Sequence, residues 1–164
     1  MVRKTIRQFL MDGVADGRWG SELSNWIGKA YKIPRTYVSN CRDSKDLSNT
    51  GIYFLFGTNT NTHSKQVYIG EAENIINRIK QHAIGKNFWT ECIIFISKDN
   101  NLNKAHIKYL ENRLYMLARE NKGYEILNTN VPSKSSLSEM EQEEMEEFIE
   151  NARLLLTSWG YNLL

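Results

Sequence analysis

An α+β fold is predicted for this chain: a small antiparallel three-stranded sheet flanked by helices, with an N-terminal β-hairpin extension and a C-terminal acidic helix. Two short apolar runs, residues 51–56 and 66–70, flank a stretch of almost only Gly, Thr, Asn, Ser, His and Lys, the pattern of a hairpin with a long loop. A third run, Cys92 to Ile96, is apolar throughout and reads as a central strand. Between and after these runs, apolar residues recur at helical spacing. The order strand, strand, helix, strand, helix is that of an α+β domain.

The elements follow in chain order. Residues 4–10 partly alternate and read as a strand. Asp12-Gly13 and Asp16-Gly17 signal turns, and a second strand near 18–24 completes a hairpin. Pro34 opens a short helix with Tyr37, Val38 and Cys41 on one face. Asp43 to Thr50 is polar and reads as a loop. After the 51–56 and 66–70 strands, Ile75, Ile76, Ile79 and Ala83 mark a helix. A longer helix runs from about Leu102 to Asn121, with its apolar stripe at Ile107, Leu110, Leu114, Leu117 and Ala118, and Gly123 is its stop. Ser138 and Glu141 have capping-box spacing and open a last helix with Met145, Phe148, Ile149, Ala152 and Leu156 on one face. Three segments result: an extension over 1–49, a core over 50–130, and a linker with the last helix over 131–164.

At 164 residues the chain holds one well-cored domain. Its two cysteines, Cys41 and Cys92, lack the spacing of a zinc or disulfide framework and fit a reducing cytoplasm. Residues 1–13 have no continuous apolar core, so no secretory signal is expected. The five-residue run at Cys92–Ile96 is far short of the roughly 20 residues that span a bilayer. The net charge is +2, but residues 135–164 carry seven Glu and one Arg, leaving +8 for residues 1–134. That larger portion either attracts a polyanion or is an ordinary basic domain with an acidic helix outside it.

Several side chains bear chemistry. Glu111 adjoins the apolar stripe of its helix, where a carboxylate either tilts into water or is compensated by donors or a cation. Arg78 and His82 are spaced i, i+4 and share a helix face. An always-charged planar donor suits phosphate and a near-neutral base suits proton traffic, although an exposed helix face bears such pairs too. Tyr53 and Tyr68 lie on paired strands, so their hydroxyls project from one face for chemistry or for cross-strand packing. Gly51 and Gly70 allow close backbone approach or a tight turn. Lys80 belongs to a spread of cations, with Lys65, Lys86, Lys98, Lys104, Lys108 and Arg113, that either meets a phosphate backbone or is simply solvated.

Taken in order, Gly51-Ile52-Tyr53, Tyr68-Ile69-Gly70, Arg78, His82, Glu111 and Asn128 resemble the GIY-YIG nuclease superfamily over Gly51 to Asn130. The flanks look like those of a bacterial subgroup. The resemblance implies hydrolysis of DNA phosphodiester bonds with one divalent ion, Mg²⁺ or Mn²⁺. By it, Glu111 holds the metal, Arg78 clamps the phosphate and Tyr53 activates or orients the water. Tyr68 supports substrate geometry, His82 relays a proton, and Gly51, Gly70, Asn128 and Lys80 lie on the substrate side. RNA is left open as a substrate. The competing expectation is a catalytically inactive nucleic-acid-binding or protein-interaction module on the same fold. Membrane association is not expected, and monomer and homodimer are both open.

Overall fold

The computed structural model describes residues 1–42 and 44–164. Asp43, within the loop expected at 43–50, lies outside the described residues. The chain is α+β, but the expected three-stranded sheet is wrong. The sheet has seven strands and is mixed. Its strands are β1 (Ile6–Leu10), β2 (Trp19–Leu23), β3 (Gly28–Pro34), β4 (Gly51–Thr58), β5 (Lys65–Ala72), β6 (Trp89–Ser97) and β7 (Glu125–Ile126). They lie in the order β1-β2-β3-β6-β4-β5-β7, antiparallel except for the short parallel pair β5–β7.

The correction comes from β3. It pairs with β6 along its whole length, from Gly28 opposite Ser97 to Pro34 opposite Glu91, and so fuses the N-terminal hairpin to the core as one sheet. Lys29 and Lys32 interrupt its apolar pattern and hide it in the sequence. In the fold the Lys29 ammonium reaches Asp46 at 2.8 Å, and that of Lys32 lies 4.1 Å from the centre of the Trp19 ring. The stems thus cover apolar surface while the charges find partners at the rim.

Helices cover both faces of the sheet. The first helix, α1 (Ile75–Gly85), and 3-10 turns at Arg35–Cys41 and Asp46–Ser48 pack on one face, against Tyr31, Ile33, Tyr53, Leu55, Cys92, Ile94 and Ile96. On the other face, α2 (Lys104–Asn121) and α3 (Glu139–Ser158) pack against Ile52, Phe54, Phe56, Ile69, Ile93 and Phe95. This is the period-2 alternation of β4 and β6, with apolar residues of both parities because both faces are buried. β4 runs past its expected end to Thr58. A bulge at Phe56/Gly57 accommodates the extension, and a Cβ on Gly57 would lie only 2.0 Å from the Phe88 carbonyl oxygen.

The helix ends are locally specified. Asn74 caps α1 by accepting from the Asn77 N–H, and Asn103 and His106 form a reciprocal capping box on α2. Ser138 and Glu141 do the same on α3. The left-handed residue that ends α2 is Lys122, at φ 59°, rather than the neighbouring Gly123. No helix among the described residues is long and apolar enough to cross a membrane.

The centre of the α2/α3 face is aromatic. Phe95 is fully buried, packed edge-on to Phe54 and tilted against Trp26. Phe95→Ala is expected to cost about 3–5 kcal/mol in a urea unfolding titration, with the cooperative transition retained.

Candidate functional site

β4 and β5 pair so that Tyr53 sits opposite Gly70 and Leu55 opposite Tyr68. Tyr53, Tyr68 and Gly70 therefore share the face that α1 covers. With no side chain on Gly70, the Tyr53 ring lies directly over the neighbouring strand. A Cβ on Gly70 would sit 2.3 Å from both Cζ and the hydroxyl oxygen of Tyr53. The Tyr53 and Tyr68 rings stack at 6.2 Å. His82, buried on the inner side of α1, completes the aromatic cluster at 5.4 Å from each ring. The Tyr53 hydroxyl and His82 Nε2 are 2.7 Å apart. With the imidazole proton on Nδ1, the hydroxyl donates to Nε2.

Two cations border this cluster. Arg78 lies one turn before His82 on α1, and its Nη1 donates to Gln81 Oε1 at 3.2 Å. The phenol of Tyr53 beside it, with the charge of Glu71, strengthens its hold on its proton against partial burial. The Lys86 ammonium stands 4.4 Å from the centre of the Tyr68 ring, within cation–π range.

Glu111 reaches the cluster from the opposite layer, on α2. It does so because the edge of β5 is open there. β7 pairs only with Gln66 and Val67, and the Asn128 side chain covers Ile69, so Gly70 and Glu71 lie beyond the last covered position. The carboxyl of Glu111 is half-buried, and its charge is felt at Tyr53. Burial first, and then the charge of Glu71, push its pKa up to about 7, against the pull of Arg78, Lys108 and the Glu71 backbone N–H.

The electrostatics of the two proton-bearing groups are one-sided. Burial pushes the Tyr53 phenol well above its usual value, and the nearby Arg78 does not reverse this. Tyr53 is a neutral phenol at pH 7. Burial, with repulsion from Arg78 and Lys86, depresses His82 to about 4, so the imidazole is neutral and its Nε2 lone pair is available.

The sequence candidates thus divide. Tyr53, Tyr68, His82 and Gly70 meet at one place with Arg78 beside them, and Glu111 lies within electrostatic range of Tyr53 and Arg78. Gly51 starts β4, and a Cβ there would fall 2.5 Å from the Phe95 carbonyl oxygen; its glycine serves the β4–β6 approach. Asn128 has both amide atoms engaged: Nδ2 donates to the Ile69 carbonyl at 2.7 Å and Oδ1 accepts from the Ile69 N–H at 3.0 Å. It holds β5 in the manner of a partner strand. Lys80 faces away from the cluster and lines a shallow groove of about 450 Å³ with Arg35, Arg42 and Ile84. Glu71 was not singled out from sequence, although its place directly after Gly70 puts it at the same strand end. Among the described residues no group of three or more His, Cys, Asp or Glu side chains is arranged to hold a metal ion. Compared with family models, curated proteins and solved structures, the chain gives no match.

Two outcomes follow from this geometry. Gly70→Ala is expected to cost about 1–3 kcal/mol by chemical denaturation, because the Tyr53 ring must leave its seat. His82 titrates near 6.5 when unfolded and near 4 when folded. Between those values the unfolded chain binds more protons, so stability falls as pH falls through this window. From pH 7 to pH 5 the wild type should lose about 2 kcal/mol from this group, and thermal melts of His82→Gln should lose correspondingly less.

Proposed function

We propose that the chain is a metal-dependent endonuclease of the GIY-YIG type that hydrolyses DNA phosphodiester bonds. The observation that carries this reading is the gathering of Tyr53, Tyr68, Arg78 and His82 at the open end of β5, with Glu111 within electrostatic reach from the other face of the sheet. Such a set of neutral proton carriers, a fixed cation and a carboxylate suits a charged phosphate substrate.

The donor set fits Mg²⁺ or Mn²⁺. Glu111 offers hard carboxylate oxygens, and its burial beside Glu71, which holds its proton on, is a cost that a divalent cation offsets. Glu111 would hold the ion, whose chemistry is to neutralise phosphate charge and the charge that develops on the departing oxygen. The protein's own groups do the rest. Arg78 clamps a non-bridging phosphate oxygen through its planar donor fork. The Tyr53 hydroxyl orients the attacking water. As the water oxygen bonds to phosphorus, the water proton passes to Tyr53 and the Tyr53 proton passes to His82 Nε2. The bond from phosphorus to the leaving oxygen breaks, and solvent supplies that oxygen with a proton. Because the phenol never has to ionise in advance, its raised pKa is no obstacle. Tyr68 and Lys86 wall the site on the side of the substrate. The place of action we propose is the cytoplasm, where the two buried, unpaired thiols stay reduced.

The test is nicking of supercoiled plasmid with Mg²⁺ or Mn²⁺. Wild type should nick, and excess EDTA should stop it. Glu111→Gln, Arg78→Ala and Tyr53→Phe should each lose about a hundredfold or more in rate. Equal cleavage by wild type and all three variants would overturn the assignment, and so would an inactive wild type under both metals.

A further inference from the structure

β1 ends the sheet, and its outer edge has no partner among the described residues. Every one of its residues is exposed. Phe9 is 69% exposed, Leu10 39% and Ile6 37%, and Met1, Val2 and Val14 nearby are exposed as well. A bare strand edge with apolar side chains on both faces invites pairing with another strand.

The hydrogen-bond pattern says which groups are on offer. Met11 N–H donates to the Arg18 carbonyl and Ser24 N–H to the Thr5 carbonyl, each at 2.9 Å. In an antiparallel ladder such bonded positions alternate. Thr5, Arg7, Phe9 and Met11 therefore turn their backbone groups inward to β2, while Ile6, Gln8 and Leu10 turn theirs outward. The side chains alternate too: Arg7 and Phe9 lie opposite Glu22 and Gly20, and Ile6 and Leu10 opposite Leu23 and Trp19.

We propose that β1 pairs antiparallel with β1 of a second copy of this chain, about a two-fold axis through Gln8. This register sets Gln8 opposite Gln8, and Ile6 opposite Leu10 in both directions. Those are the residues whose N–H and C=O face outward, so all of them find partners. On one face Ile6 meets Leu10, aliphatic on aliphatic. On the other, Arg7 meets Phe9 of the second copy, twice by symmetry, and no like charges oppose one another. A register centred on Arg7 would set Arg7 opposite Arg7, like charges directly across, and one centred on Phe9 would set Ile6 opposite Asp12, which lies past the end of β1 and is paired with Arg18. One centred on Ile6 or Leu10 would leave part of the strand unpaired. The self-complementarity of this segment is what selects a second copy as its partner.

The association is read by sedimentation velocity over a micromolar concentration series of the full chain. Wild type should be a reversible dimer. Gln8→Pro removes an outward N–H and no bond to β2; it should be monomeric, with an unchanged far-ultraviolet spectrum. Phe9→Lys places a cation opposite Arg7, whereas Phe9→Glu places an anion there. Both remove the same aromatic surface, so they separate this register from unspecific sticking. The dissociation constant should be at least about tenfold higher for Phe9→Lys than for Phe9→Glu. A monomeric wild type, a dimeric Gln8→Pro, or equal constants for the two Phe9 variants would overturn the proposal. These readouts are independent of cleavage.

Discussion

The site rests on one steric permission: the ring of Tyr53 lies across the backbone of Gly70. Strands in a sheet run about 4.8 Å apart, and a side chain on the neighbouring strand would normally fill the space beside an aromatic ring. Here that space is empty. The Tyr53 ring can lean over β5, stack on Tyr68 and set its hydroxyl on His82. The same contact draws α1 onto the sheet at a fixed height, because His82 is the buried residue of its last turn. Arg78 lies one turn earlier on the same helix, beside the Tyr53 phenol. The seat of the Tyr53 ring, and with it the contact to His82, depends on a missing Cβ.

A second constraint is topological. Side chains on opposite faces of a sheet are normally insulated from one another by the backbone. Glu111 belongs to the α2 layer and Tyr53 to the α1 layer, yet the phenol feels the carboxylate's charge. This happens only where the sheet stops. β7 is two residues long and leaves the last part of β5 uncovered. An additional full-length strand there would have separated the carboxylate from the phenols.

Much of this was legible in the sequence, for identifiable reasons. The β4–β5 hairpin shows as apolar runs around a polar loop, α2 as a stripe, and α3 as a stripe behind the Ser138–Glu141 pair. β3 was not legible. Lys29 and Lys32 break its pattern, and what compensates them, Asp46 and Trp19, is distant in the chain. β7 is too short to carry any period. For the site, the tripeptides around Tyr53 and Tyr68 and the helical spacing of Arg78 and His82 indicated which residues belong together. Lys80 was expected on the substrate side, yet it lies two residues along the helix from both Arg78 and His82, nearly the opposite side. The protonation states were not readable. Tyr53 remains a phenol and His82 a neutral imidazole because of burial, which only the packed layers define.

The clasp between Asn128 and Ile69 has a chemical corollary. An amide presents one hydrogen-giving and one hydrogen-taking end, and Ile69 uses both. A carboxylate has only taking ends when ionised. Spontaneous hydrolysis of this single amide to aspartate would set two oxygens face to face across the clasp and loosen the strand on which the tyrosines depend. The integrity of the whole edge is thus tied to the covalent ageing of one side chain that bears no charge of its own.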